Sequence, residues 1–460
     1  MNQERTRLPF PSRPRWAVGF ICLFGLLATA WGAAPPETIV ETANGPSLAR
    51  GPRLDPIGEI RFAGNDTTKP QILLQEMLVR VGDPADAGLI EQSRQAIMDL
   101  GLFNSVRAEL LPGDDRGRAL LITVKEKYYI LPIPKLNRND EGDIGYGAQL
   151  RLDNLAGLNQ QLKLTYEIEK ADTSSSGEQE VFSVVYSYPR IFGSAYRLEV
   201  VGGRTSYPID VLAADGTTVD ASYQQSTNEA GFTVSRWLHL IGPSRGWQLG
   251  GGLVWRDRGY RYLSGTPGLY SDGSIVGLTA GIEHTDVHNY LYSRSGRTYG
   301  LSAEFGLPAL GSDNNYTRQL LYYRGYYPMF NRPHHNLDVQ LQLGLSSDRV
   351  FNEDAYSLGG SGTLRGYEAG SFKGNAYALA NIEYLAPLFG YYPIRGVLFA
   401  DIGNTYPSNR DIDLSDLKSS AGFGLRWKIK AFVKLDLRLD VAYAFDTGET
   451  RVYAGTKETF

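Results

Sequence analysis

The sequence predicts a mainly β protein, a 16-stranded antiparallel transmembrane β-barrel preceded by one small α/β domain of β-α-α-β-β order. Three observations carry this reading. The chain is rich in tyrosine (29) and glycine (52) and poor in methionine (4), which suits strands and turns. No amphipathic helix of useful length occurs from Tyr128 to Phe460, and strand-like segments recur there instead. Roughly sixteen can be counted, an even number, as closed bacterial barrels require.

At the start of the chain Arg5, Arg7, Arg13 and Arg15 precede an apolar run, Trp16 to Ala30, which ends in small residues. This is the three-part form of a secretory signal peptide, so residues 1–32 are expected to be removed after Ala30 or Gly32. The other reading is an uncleaved anchor, but the run is short for a span of ~20 residues. The single cysteine, Cys22, lies inside this run behind Ile21, where a lipoprotein signal needs a small residue. The remaining chain then has no disulfide and no thiolate chemistry. Without the signal, 42 basic residues stand against 49 acidic ones, so nucleic acid is not an expected partner. No second run of about 18 apolar residues follows, which excludes a transmembrane helix.

Residues 33–54 are rich in Pro, Gly and Ala and read as a linker. Residues 55–127 hold the small domain. IGEIRFAGN (57–65) is a strand with a Gly-Asn turn. Thr68 is expected to cap a helix with Pro70 in its first turn, running to Gly82. AGLIEQSRQAIMDLGLF (87–103) is a second helix, with Leu89, Ile90, Ile97 and Leu100 near one face. VRAELLPG and ALLITVKEK alternate as two closing strands. IRFAGN, the LGLFNSV passage and ITVKEK, in this order, resemble a POTRA domain, the periplasmic repeat of outer-membrane assembly factors.

The barrel is expected over residues 128–460. Its first strand, YYILPIPKL, contains Pro132 and Pro134; its last ends at Phe460. In KLDLRLDVAYAF the residues Leu435, Leu437, Leu439, Val441 and Tyr443 form one apolar face, with Asp436, Arg438 and Asp440 on the other. In a barrel the first face meets lipid and the second the lumen. Connections after even-numbered segments are mostly short. The long ones, 205–226, 258–273, 347–373 and 404–418, follow odd-numbered segments. Short turns on one rim and long loops on the other are the outer-membrane asymmetry.

The loop before the twelfth strand contains GGSGTLRGYEAG, Gly359 to Gly370. A phosphate-binding loop would need a following helix, and none is expected here. Glycines 359, 360, 362 and 366 suit tight turns with φ > 0. Leu364-Arg365-Gly366-Tyr367 matches the signature of the BamA/TamA and two-partner-secretion superfamily of outer-membrane barrels. Glu383 in NIEYLAPL, and Phe399 and Asp401 in GVLFADIGN, match its N-x-E and F-x-D-x-G motifs. RLDNLAGLNQQL (151–162) resembles its D-N-x-x-G turn, and 285–300 a degraded further turn with Ser293 where proline is usual. This resemblance implies a loop folded back into the barrel, with Arg365 locked onto Glu383 and Asp401.

Other matches read as structural. Gly242-Pro-Ser244-Arg-Gly246 fits G-x-S-x-G but lies between strands, not at a strand-to-helix elbow. His284, His288, His334 and His335 lie at strand ends and turns without a metal-site pattern. No catalytic residue, metal or cofactor is expected, and the chain is read as a non-enzyme. The resemblance implies a place in the bacterial outer membrane with the POTRA domain in the periplasm. Expected partners are outer-membrane lipid, unfolded outer-membrane or secreted proteins via the POTRA domain, and accessory periplasmic proteins. The implied function is insertion of β-barrel proteins through a lateral seam marked by Pro132, Pro134 and Phe460. The alternatives are a transporter for a dedicated secreted partner, or a passive porin or adhesin.

Overall fold

The computed structural model describes residues 55–456 apart from 116, 139–143, 171–177, 214–217, 352 and 434. The expected signal peptide, the linker and Phe460 lie outside these residues.

The first part comprises β1 (Ile57–Ala63), α1 (Pro70–Glu76), α2 (Ala87–Asp99), β2 (Phe103–Asp114) and β3 (Gly117–Glu126). The sheet order is β1-β3-β2, with β1 parallel and β2 antiparallel to β3. Ile57, Leu73, Ile97, Phe103, Leu120 and Ile122 form its core. Two details depart from the sequence reading. Helix α1 ends at Glu76, well short of Gly82. Beyond it Met77 and Val79 alternate into the core, while Ser93 Oγ accepts from the amides of Leu78 and Val79 at 2.9 and 3.2 Å. A period of two, with the amides already paired, replaces the helical one. Leu89 is exposed on α2, whereas Ile90 and Ile97 are buried as expected.

Thr68 does not cap α1, whose N-cap is Lys69, with no side-chain cap bond. Its hydroxyl and amide donate instead to Glu126 at 2.5 and 2.8 Å, and the Thr67 amide adds a third bond at 3.0 Å. Burial pushes the Glu126 carboxyl up, but these bonds outweigh it and hold its pKa below the ordinary value. A depressed folded pKa stabilises above the unfolded value of ~4.3 and is lost as pH falls through the folded value. Glu126→Gln is therefore expected to flatten the loss of stability below about pH 4.3. Urea midpoints from pH 6 to 3 check this; an unchanged acid slope would count against it.

The second part is one sheet of sixteen antiparallel strands. Its strands are β4 (Ile130–Arg138), β5 (Ile144–Leu155), β6 (Gln160–Lys170), β7 (Glu178–Tyr188), β8 (Tyr196–Leu212), β9 (Val219–Trp237), β10 (Gly246–Gly265), β11 (Gly273–Asn289) and β12 (Arg294–Gly306). After β13 (Tyr316–Pro328) and β14 (Asn336–Ser346) a hairpin stem of β15 (Tyr356–Leu358) and β16 (Phe372–Gly374) interrupts the sheet. The sheet resumes with β17 (Ala376–Leu388), β18 (Tyr391–Tyr406), β19 (Lys418–Lys428), β20 (Asp436–Ala444) and β21 (Thr450–Gly455). Outward residues such as Leu249, Leu253, Leu278 and Leu301 are exposed and apolar. Their neighbours of opposite parity, such as Gln248, Gly252, Thr279 and Ser302, are mostly polar or small, as a membrane barrel requires.

Strands β8, β9 and β10 run 17, 19 and 20 residues, far past the ~9–11 needed to span a membrane. Their upper parts were expected as loop. They stay paired because Ser206, Tyr207 and Pro208 face Ser226, Gln225 and Gln224. Gln224 Nε2 also donates to Ser206 Oγ at 2.7 Å. Leu435 departs from its expected face: strand β20 starts after it, and it is buried in an inner cluster with Leu131 and Ile133.

Candidate functional site: a luminal lock, a seam and a docked domain

The loop between β15 and β16 folds into the barrel, and Arg365 at its tip is fully buried. Gly359, at φ 114°, shapes the entry: a Cβ there would lie 2.0 Å from the Glu368 carbonyl oxygen. Gly366, at φ 89°, presses on β20, where a Cβ would sit 3.0 Å from the Ala444 nitrogen. Gly362 has no positive φ and open space around it, so its expected role in a tight turn does not hold.

Arg365 meets Asp401 on β18 with both ends of its fork, Nε to Oδ2 at 2.6 Å and Nη2 to Oδ1 at 2.7 Å. Its Nη1 donates to Glu383 on β17 at 2.5 Å. The guanidinium lies 3.5 Å from the Phe399 ring centroid. The expected residues are thus brought together. The arrangement is larger than expected, however. Asp440 on β20 accepts from Arg365 at 3.3 Å and from Arg438 at 2.6 Å. Arg426 on β19 donates to both Glu383, at 2.9 Å, and Asp440. Three arginines and three carboxylates therefore form one buried, charge-balanced group, with bidentate and shared bonds of the strong kind. Arg438 also donates to the Ser361 carbonyl at 2.7 Å, and Asn381 to that of Thr363 at 2.7 Å. Tyr453 on β21 accepts from the Gly366 amide at 3.0 Å, and the Tyr367 hydroxyl donates to the Ser419 carbonyl at 2.9 Å. The loop is bolted to β17–β21. The signal for Asp440 and Arg438 was present as inward charges of alternating sign.

The seam joins the two ends of the sheet, β4 and β21. The Asp153 amide donates to the Tyr129 carbonyl at 2.7 Å, so Tyr129 points its backbone groups at β5. Residues of the other parity point them away from β5. The Tyr128 amide does so, donating to the Ala431 carbonyl at 2.8 Å. Pro132 and Pro134 share that parity, so both absent N–H groups face the seam. Leu131 and Ile133 close the inner side against Leu435. Among the described residues no ladder joins β4 to β21.

Sequence reasoning missed a third contact set, which docks the N-terminal domain onto the short-turn rim. Glu76, at the end of α1, is buried with Arg190 from the β7–β8 turn at 2.9 Å. Its carboxylate also accepts from the Ser244 amide and hydroxyl at 2.6 and 2.8 Å. The G-x-S-x-G serine is thus a docking residue. Asp99 at the end of α2 meets His288 at 2.9 Å and the Asn289 amide at 2.7 Å. Thr68 accepts from Asn154 at 2.9 Å, in the D-N-x-x-G turn. Among the described residues no group of acidic, His or Cys side chains could hold a metal.

An antiparallel barrel with a loop locked in its lumen and a small α/β domain seated on its short-turn rim defines an outer-membrane barrel with an N-terminal accessory domain. Residues 154–460 match the Omp85 superfamily domain, and the chain belongs to that superfamily. Residues 56–127 match a POTRA domain, described as a surface antigen variable number repeat. The chain is 23% identical over 423 residues to outer envelope protein 80, chloroplastic, of Oryza sativa subsp. japonica, covering 84% of this chain and 58% of the relative. It is 22% identical over 425 residues to outer membrane protein assembly factor BamA of Nitratidesulfovibrio vulgaris, covering 85% and 49%. The chain therefore spans about half the length of these relatives. Its fold is similar to that of CdiB from Escherichia coli (TM-score 0.63, 17% identity, 88% and 75% of the two chains). It is also similar to BamA from Haemophilus ducreyi lacking POTRA domains 1–3 (TM-score 0.51, 18% identity, 88% and 85%). The protein is an outer-membrane β-barrel of this superfamily.

Proposed function

We propose that this barrel inserts β-barrel chains into the outer membrane through the seam between β4 and β21, with its POTRA domain on the periplasmic side. The observation that carries this reading is the seam edge of β4, where Pro132 and Pro134 leave two positions without a donor. Each ladder bond is worth a net ~0.5–1.5 kcal/mol in water and more in lipid. The seam is the weakest line of the sheet, and an incoming strand can pair there. The POTRA sheet ends at β2, which pairs with β3 on one side, an edge suited to hold extended chain by strand addition. The name assembly factor carried by a relative agrees with this reading.

The test is a disulfide across the seam, with one cysteine introduced on β4 and one on β21. Liposomes carrying the oxidised protein are expected to assemble an unfolded barrel substrate at least tenfold more slowly than after reduction. Equal rates would show that the seam does not open. Transport of a dedicated partner across the membrane is the second reading, favoured by a luminal cavity on the wall opposite the lock. Loss of one secreted protein on depletion, with outer-membrane barrels at normal levels, would select it.

A further inference from the structure

That cavity has a volume of about 450 Å³, within the usual range for ligand sites. Strand register explains it. Gly250, Gly281, Ser302 and Leu320 stand side by side across β10–β13, all on the inward parity. This small-residue row lies between two polar rows. One holds Gln248, Glu283, Gly300 and Tyr322; the other holds Gly252, Thr279, Glu304 and Arg318.

The polar groups are unequally satisfied. Glu304 is held by Arg256 at 2.7 Å and Arg318 at 2.9 Å. Glu199 pairs with Arg197 at 2.8 Å. Glu283 accepts from the Tyr322 hydroxyl, and among the described residues no ion pair to it is found. Among the residues that line the cavity, Glu199, Glu283 and Glu304 outnumber Arg197 and Arg318 by one, Arg256 reaching Glu304 from beyond the lining. Beside Glu283 in the ladder, Gln248 is 7% exposed, and its Nε2 donor has no partner among the described residues. Thr279 Oγ1, also on the wall, is buried and unpartnered in the same sense. A buried amide donor needs an acceptor, and a carboxylate facing a cavity with no ion-pair partner there attracts a cation.

We propose that this cavity is a binding site for a guanidinium or ammonium side chain with an adjacent carbonyl oxygen, as carried by an arginine or lysine residue of an extended polypeptide. Glu283 takes the cation, and Gln248 Nε2 donates to the carbonyl. The small-residue row gives the side chain its room. The inference rests on the reading that the barrel handles unfolded chains, and it names which residues of such a chain dwell in the lumen.

The test uses the full-length protein in detergent, titrated with Nα-acetyl-L-arginine amide and with its neutral citrulline counterpart, followed by ligand-observed NMR. Wild type is expected to bind the arginine compound at least tenfold more tightly than the citrulline one. Glu283→Gln should remove that preference. Ser302→Leu, which fills the cavity without changing charge, should weaken both, and it stands in should the first variant fail to fold. Free L-arginine, whose carboxylate meets a net negative wall, should bind more weakly than the capped residue. No saturable binding by wild type, or an unchanged preference in Glu283→Gln, overturns the site. Tighter binding of free arginine overturns its assignment to a polypeptide. Binding is read without substrate assembly, so a seam disulfide that leaves assembly intact sinks the insertion reading and leaves this one standing.

Discussion

Arg365→Ala is expected to cost about 3–5 kcal/mol of barrel stability, because removing one partner of a buried ionic group strands the others. Arg365 bonds Asp401 twice and also reaches Glu383 and Asp440. Without it, two arginines face three carboxylates in a site closed to water. Arg365→Lys should fall between, since an ammonium cannot offer the planar fork that Asp401 receives. Heat-modifiability on semi-native gels and urea midpoints measure both variants. Wild-type behaviour of Arg365→Ala would show that the buried group does not hold the loop. Gly366→Ala should give a milder loss, read by the same measurements, since its φ and the contact with Ala444 both oppose a side chain.

Glu76→Ala should release the POTRA domain from the rim. Both members of the Glu76–Arg190 pair are nearly fully buried, and Ser244 adds two bonds to the same carboxylate. Leaving Arg190 buried with, among the described residues, the Gly242 carbonyl at 2.6 Å as its remaining side-chain partner is expected to cost about 3–5 kcal/mol. That shifts the docked-to-released ratio by a factor of roughly 10²–10³. Hydrogen exchange reports it: the amides of Ser244 and Asn289, which donate to Glu76 and Asp99, should lose protection while the cores of both parts keep theirs. Unchanged exchange at Ser244 would mean that this pair does not hold the domain in place.

How far these features were legible depends on the range of the interaction behind them. The sixteen spanning strands were readable because alternation is local: Leu437, Leu439 and Val441 against Arg438 and Asp440 needs only neighbours in sequence. The upper ends of β8–β10 were not, because Ser206, Gln224 and Ser226 show no apolar face, and only their cross-strand partners make them strand. The helix after Thr68 was read too long for the opposite reason. Apolar residues from Met77 to Val81 suit a helix locally, and Ser93 on another element decides otherwise. Arg365, Glu383 and Asp401 were found through a motif. Arg426 and Asp440 complete the group by register across β19 and β20, which a motif does not encode. The Glu76–Arg190–Ser244 contact joins a helix end to two short turns far apart in sequence and had no signal at all. Ser244 even sat within a misleading hydrolase pattern.

The charge balance of the lock has a consequence for how this chain itself is made. Arg365, Glu383, Asp401, Arg426, Arg438 and Asp440 come from one loop and four successive strands, and they are fully paired only as a set. A half-built wall holding β17 and β18 with the loop would carry two carboxylates against one arginine in a dehydrating interior. Adding β19 alone balances the count but leaves Arg426 without Asp440. The final third of the barrel should therefore enter the bilayer as one kinetic unit, with no stable stopping point between β17 and β20. Biogenesis would then pause before this unit or finish it, which makes the same ionic knot a checkpoint on the barrel's own completion.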